Sequence, residues 1–337
     1  MSFRYRLRAP FQRFLFALLV AAVAVVFSEK MYWYVTGYGT LDLLVGYFFP
    51  SYIMLWIIDA FRVRRFAPLF LAAAVFGFVA EGVLVGTIYE GGPLGLFSIS
   101  YTPLAWHAPL TVLFGWWWVG RRLAGGSLRG LVAGCAAVGL FWGLWSLAWW
   151  LPENVADPAL LAQGARLGQW PPAEFALHAF TFTALLALAH WLLGRGGRLP
   201  SFRPGRGEAA LVIGGLLFFY AGVVVAVPWA PLKLLPLLGL TLGALAVNRR
   251  REPPGSLLAE PRGPARPAAL AALFAMPAVA VAVYAVAAAV ALPVDAIYVI
   301  TSLGLVLGSA VLGGAAWLAA LGWTIRRDTR YEIRDTS

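Results

Sequence analysis

The sequence predicts an all-α integral membrane protein with about ten transmembrane helices and both termini in the cytoplasm. Of the 337 residues, 61% are hydrophobic and only 12% are charged, whereas soluble domains typically have about 25% charged residues. The apolar residues form blocks of roughly 18–25 residues, the length a helix needs to cross a ~30 Å hydrocarbon core. Short arginine-bearing segments separate these blocks, so the chain alternates between spans and loops.

The predicted spans are 11–35, 41–61, 66–89, 103–121, 128–151, 173–194, 208–228, 231–248, 267–292 and 295–325. With the N-terminal segment placed inside, all but three of the 26 Lys and Arg residues fall in inner segments; the exceptions are Lys30, Arg166 and Lys233. Cytoplasmic loops carry this excess of positive charge. We therefore expect the cytoplasmic (plasma) membrane, the inner membrane of a bacterial-type cell, as the location.

Three regions are predicted along the chain. Residues 1–248 form a membrane core of about eight helices, 249–267 a cytoplasmic loop rich in Pro and Arg, and 268–337 a C-terminal helix pair with a short basic tail. The net charge of +11 comes from arginines beside the spans, which predicts no nucleic-acid partner. Cys135 is the only cysteine, so neither an intrachain disulfide nor a multi-cysteine metal site is possible.

Ionisable side chains inside the spans indicate where a function would lie. A charged group within a membrane costs roughly 2.5–3.5 kcal/mol on insertion scales. Glu81 is predicted about two turns, or ~12 Å, below the outer end of the third span. His107 and His178 are predicted at a similar depth near the outer ends of the fourth and sixth spans. The last four spans carry almost no such groups.

Matched depth predicts one site in the outer half of the first six spans. We expect Glu81, His107 and His178 to converge there as catalytic residues. Glu174, one helical turn before His178 on the same face, is expected as a fourth ligand or orienting group. Such a set could hold a divalent metal, Zn or Fe, with an open position for water, or act as acid and base without metal. A haem between His107 and His178 is the less favoured alternative.

Each polar residue also has a purely structural interpretation. Glu174 can stabilise a helix N-terminus, Asp42 can begin a helix, and His190 can be a packed, hydrogen-bonded side chain. Glu29 and Lys30 can extend to the membrane interface. Eight aromatic residues at this depth can line an apolar pocket or form an interface belt: Tyr32, Trp33, Tyr34, Tyr38, Tyr47, Tyr89, Tyr101 and Trp106.

No short catalytic motif names the chemistry, since GxSxG, HExxH, a phosphate-binding glycine loop and CxxC are all missing from the sequence. Segment 81–101, EGVLVGTIYEGGPLGLFSISY, loosely resembles the Glu-then-Gly-Pro-aromatic-Gly stretch of carotenoid hydratase membrane proteins. The resemblance covers about twenty residues at a different spacing, so no residue role is taken from it.

Three functions of different classes fit these observations. The first is an intramembrane enzyme with an outer-leaflet Glu/His site that acts on a lipid or isoprenoid-type substrate. The second is a proton-coupled transporter of a small solute, in which Glu81 and the histidines relay protons. The third is a non-catalytic membrane subunit, with or without a bound haem. The expected partner is a membrane lipid or another hydrophobic small molecule; the sequence does not indicate an oligomeric state.

Overall fold

A computed structural model of the chain describes residues 3–32, 39–151, 170–195, 201–260 and 263–326. Within these ranges all regular secondary structure is helical, so the predicted all-α class is confirmed. Nine of the described helices are long and apolar enough to cross a membrane. The remaining predicted span, 103–121, which is the fourth along the chain, also lies within a helix that continues to Gly125.

We label the ten helical segments α1 to α10 in chain order. The first five are α1 (Phe3–Val25, extended by Val26–Lys30), α2 (Thr40–Ala60), α3 (Phe66–Val79, extended by Ala80–Val85), α4 (Leu96–Ile99, Ser100–Trp118 and Val119–Gly125) and α5 (Leu128–Trp145, extended by Ser146–Trp150). The second five are α6 (Pro172–Arg195), α7 (Arg206–Ala226), α8 (Ala230–Arg251), α9 (Pro267–Ala289) and α10 (Val294–Arg326).

Each helix thus corresponds to one predicted span. Most of the predicted outer loop 152–172, the N-terminal residues 1–2 and the basic tail 327–337 lie outside the described residues. The predicted cytoplasmic position of both termini, and the division of the chain into three regions, stay predictions.

Small residues allow the helices to pack closely, as is usual where helices associate within a membrane. A Cβ atom added to Gly77 of α3 would overlap the backbone of Pro103 in α4. In the same way, a Cβ atom on Gly139 of α5 would overlap the carbonyl oxygen of Met276 in α9. The C-terminal helix pair is therefore packed directly against the earlier helices, and the indole N–H of Trp317 in α10 donates to the Thr241 hydroxyl of α8 at 3.2 Å.

Basic side chains fix one end of the bundle. At the end of α2, Arg62 donates to the carbonyl of Glu252 at 2.8 Å, and Arg65 forms a 3.1 Å ion pair with the Glu252 carboxylate. Asn248 at the end of α8 donates to the carbonyl of Phe61 at 3.0 Å. By the positive-inside rule this end is the predicted cytoplasmic one.

Three of the four described π-helical stretches lie where the sequence places polar groups inside spans. They are Val26–Lys30, Ala80–Val85 and Ser100–Trp118; the fourth is Val299–Leu307. Within Ser100–Trp118, Pro103 and Pro109 remove two backbone donors, which prevents a regular α-helical hydrogen-bond ladder. Such departures from the α-helix are frequent at functional sites, and here they redirect side chains near Ser28, Glu81 and His107.

The close contact of α5 and α9 gives a testable expectation. Gly139→Ala should lower the free energy of unfolding by about 1–3 kcal/mol, because the added methyl group forces two backbones apart. Gly214→Ala in α7 is the matched control, since a Cβ atom there meets nothing within 4 Å; it should leave stability within about 0.5 kcal/mol or raise it slightly. Thermal unfolding in detergent would measure both, and equal melting temperatures would contradict the packing.

Candidate functional site

A cavity of about 1100 Å³ opens at the end of the bundle opposite the basic side chains. It lies where α1 and α3 end and where α2 and α4 begin, so its walls come from four helices, the connection between α3 and α4, and one residue of α7. The lining residues are Ser28, Glu29, Tyr32, Asp42, Leu43, Val45, Gly46, Tyr47, Ala80, Glu81, Leu84, Val85, Thr87, Glu90, Gly91, Gly95, Phe97, Ser98, Tyr101, Thr102, Trp106, His107 and Phe219.

The central feature of the cavity is a bond between Glu81 and His107. The Nε2 atom of His107 lies 2.5 Å from Oε1 of Glu81. His107 is only 2% exposed and Glu81 only 6% exposed. Charge-assisted hydrogen bonds are shorter and stronger than neutral ones, and a low local dielectric strengthens them further. The second carboxylate oxygen, Oε2, accepts a hydrogen bond from the Thr87 hydroxyl.

Hydroxyl groups fix the other side of the imidazole ring. The Ser28 hydroxyl lies 2.9 Å from Nδ1 of His107 and 3.0 Å from the Thr111 hydroxyl. With Ser28 donating to Nδ1, the Nε2 nitrogen carries the proton directed at Glu81. The ring also packs against Tyr47 and Phe76. These contacts hold His107 in one orientation toward the carboxylate.

A second carboxylate lies in the same cavity. The Tyr47 hydroxyl donates to Glu29 at 2.7 Å, so this acid is also bonded inside the protein. Nearby, the hydroxyl groups of Tyr32 and Tyr101 are 2.5 Å apart. The indole of Trp106 donates to the carbonyl of Phe27 at 2.7 Å and packs edge-on against Tyr32. The cavity therefore presents two bonded acids beside an aromatic wall.

A buried lysine holds the connection between α3 and α4 over the cavity. Lys233 of α8 donates to the carbonyl of Gly92 and to the Ser98 hydroxyl, both at 3.1 Å. Ser98 in turn donates to the carbonyls of Ile88 and Glu90. Partial burial, together with the nearby charge of Glu81, raises the pKa of Glu90 above its ordinary value. Gly91 and Gly92 adopt φ of 74° and 78°, a conformation that favours glycine.

The predicted convergence of His178 with Glu81 and His107 is not formed. Nε2 of His178 donates to the carbonyl of Lys30 at 2.7 Å, and its ring packs against Trp142 and Phe182. The reason is the rotation of α6 about its own axis. The face that carries His178 contacts Lys30 of α1 and Trp142 of α5. Glu174, on the first turn of α6, likewise does not line the cavity.

The predicted metal and haem sites gain no support from this arrangement. Over the described ranges, no group of three or more His, Cys, Asp or Glu side chains is placed to hold a metal ion. A haem between His107 and His178 would need a free nitrogen on each ring. Both nitrogens of His107 and Nε2 of His178 are instead engaged within the protein.

Two structural interpretations are confirmed. His190 is buried and donates to the carbonyl of Gly115 at 2.9 Å, and Asp42 accepts a hydrogen bond from the backbone N–H of Gly39 at the start of α2.

The structural interpretation of Lys30 is different from the one expected. Lys30 is buried rather than extended to an interface, with its ammonium group 5.2 Å from the centre of the Phe182 ring.

The aromatic residues divide between two roles. Of the predicted pocket residues, Tyr32, Tyr47, Tyr101 and Trp106 line the cavity. Tyr89 instead donates to the carbonyl of Gly82. The remaining three, Trp33, Tyr34 and Tyr38, lie outside the described residues.

Considering only ionisable residues missed the hydroxyl groups around Glu81 and His107, namely Ser28 and Thr87, which bond these two residues, and Thr111, which bonds Ser28. Thr111 lies four residues after His107 and so on the same face of a regular helix, and Ser28 immediately precedes Glu29. Spacing alone could have singled out Thr111. The contact of Thr87 with Glu81 follows from the turn at Gly86, which has φ of 91° and ends α3.

Comparison of the chain with known protein families, with curated proteins and with solved structures finds no match.

The hydrogen bonds of Lys233 predict a measurable change in the loop it holds. In Lys233→Met the bonds to Gly92 and Ser98 are lost while the side chain keeps its length, so backbone amides within 86–98 should exchange with deuterium at least several-fold faster. Leu232→Met, at a neighbouring residue that is 75% exposed, is the control and should leave exchange unchanged. Equal exchange in the two variants would show that Lys233 does not hold the loop.

Proposed function

We propose that the protein is an intramembrane enzyme that uses Glu81 and His107 for acid–base chemistry on a lipid or isoprenoid-type substrate bound in the cavity. The observation that carries this proposal is the Glu81–His107 bond inside a largely apolar cavity open at one end. Pockets of this kind, with a few convergent polar groups, are the usual form of small-molecule sites.

The two residues have complementary roles in this proposal. Both line the cavity, so a substrate atom or a water molecule can approach the carboxylate of Glu81. Where that group is a substrate atom, Glu81 accepts its proton and the resulting acid returns the proton to the substrate at a second position. Where it is a water molecule, its oxygen bonds to one substrate atom as Glu81 takes the proton, and the acid returns that proton to the neighbouring atom. His107 holds the carboxylate in place and, through its bond with Ser28, keeps the N–H directed at Glu81. Positioned proton transfer of this kind typically contributes 10²–10⁴-fold to a rate.

The predicted topology assigns the site a side of the membrane. The cavity lies at the end of the bundle opposite Arg62, Arg65 and Asn248. If that basic end faces the cytoplasm of the cell, the substrate enters from the outer leaflet of the plasma membrane. The membrane lipid expected as a partner would then be the substrate itself.

A proton-coupled transporter is the second candidate, and one observation favours it. Glu29, Glu81, Glu90 and Asp42 all line the cavity, and carboxylates within membrane spans are common in proton relays. The enzyme is preferred because His107 and Tyr47 bond two of these groups in fixed positions, which suits a preorganised reaction centre.

Replacing Glu81 distinguishes the enzyme from the transporter. Lipid extracts of cells that express the protein would be compared by mass spectrometry with extracts of cells that express Glu81→Gln. The variant keeps the shape of the side chain but removes its charge, so we expect the chemical change in the lipid pool to fall at least 100-fold. His190→Gln, at a buried histidine outside the cavity, is the control and should keep activity.

Two outcomes would contradict the enzyme. One is full turnover by a folded Glu81→Gln protein, judged by an unchanged melting temperature. The other is an unaltered lipid pool together with solute uptake that requires a proton gradient and is lost in Glu81→Gln, which would establish the transporter.

A further inference from the structure

We infer that the cavity selects a long-chain amphiphile with an uncharged head group, such as an alcohol, and excludes phosphate esters. This inference rests on the proposed function and names its substrate class. It follows from the charges on the cavity walls, the bonds those charges already make, and the apolar side chains at the opening.

The charges on the walls are unfavourable for an anion. Four carboxylate residues line the cavity, namely Glu29, Asp42, Glu81 and Glu90, whereas none of its described lining residues is Lys or Arg. Proteins bind phosphate with Arg and Lys side chains or with the N-terminus of a helix. The N-terminus of α2 borders this cavity, but its Gly39 N–H is bonded to Asp42.

The two lysines near this end of the bundle already have contacts within the protein, and neither of them lines the cavity. Lys30 packs over the ring of Phe182, and Lys233 donates to Gly92 and Ser98. A phosphate in the cavity would therefore meet carboxylates, and no Lys or Arg, among the described lining residues. Burying such an unpaired charge is strongly unfavourable.

The same carboxylates do not require a cationic ligand, because two of them already have hydrogen-bond partners. Glu81 is bonded to His107 and Thr87, and Glu29 is bonded to Tyr47. The two deep acids thus have partners within the protein. An uncharged head group can use the hydroxyl groups of Tyr32 and Tyr101 on the same walls without disturbing these bonds.

Apolar side chains form part of the opening of the cavity, beside the exposed acids Asp42 and Glu90. Val45, Val85 and Phe97 line the cavity and are 57%, 57% and 47% exposed, respectively. Residues that both line a cavity and are exposed lie at its opening. Because the surrounding helices are membrane spans, a hydrocarbon chain can enter sideways from the lipid. A volume of about 1100 Å³ exceeds that of most small-molecule sites, roughly 300–1000 Å³.

Binding of three probes that differ only in their head group tests this inference. Radiolabelled hexadecanol would be bound to the full-length protein in detergent and displaced with unlabelled hexadecanol, hexadecyl phosphate or hexadecylamine. We expect hexadecyl phosphate to compete at least tenfold more weakly than hexadecanol, because the carboxylates repel it. Glu29→Gln should reduce this difference, since it removes one of the charges.

Two glycine variants locate the bound probe. Gly46 lines the cavity, and a Cβ atom there meets nothing within 4 Å, so Gly46→Trp should fill the cavity and weaken hexadecanol binding at least tenfold. Gly214→Trp is the matched control, because that position is equally open but lies outside the cavity. If Gly46→Trp lowers the melting temperature, Gly46→Leu provides a smaller obstruction for the same comparison.

Three results would overturn the inference: hexadecyl phosphate competing as well as hexadecanol, hexadecylamine binding more than tenfold tighter than hexadecanol, or equal hexadecanol binding by the two glycine variants. Failure of the proposed function has a different signature. The alcohol would then bind as expected while Glu81→Gln retained full turnover.

Discussion

The bond between Glu81 and His107 is the interaction on which the rest of the site depends. A carboxylate and an imidazole buried within a membrane protein are costly unless each has a hydrogen-bond partner. Here each of the two groups is the partner of the other. Meeting that requirement brings together the end of α3 and the start of α4. It also fixes the positions of Ser28 and Thr87, which bond the remaining polar atoms of the pair.

Irregular helix geometry makes this arrangement possible. The three polar groups that meet are carried by π-helical stretches at the ends of α1 and α3 and along α4, where a regular α-helix would direct the side chains differently. Close backbone contact between Gly77 and Pro103 holds α3 against α4. Lys233 of α8 bonds the connection between these two helices at Gly92 and Ser98.

The fold was predictable from the sequence because span length and hydropathy are imposed by the bilayer. Matched depth along the spans led to the expectation that Glu81 and His107 meet, and their side chains are in contact in the structure. Rotation of each helix about its own axis was not predictable, since packing against neighbours sets it. His178 shows the consequence: its predicted depth suited the site, but its Nε2 atom is bonded to the carbonyl of Lys30 and its side chain does not line the cavity.

A double-mutant cycle on the pair tests the central claim most directly. Glu81→Leu and His107→Phe each leave one buried polar group without its partner, whereas the double variant removes both groups. Measured as free energies of unfolding in mixed micelles, the double variant should be about 1–3 kcal/mol more stable than the sum of the single effects predicts. Additivity within about 0.3–0.5 kcal/mol would contradict the account, because the two side chains would then not depend on each other.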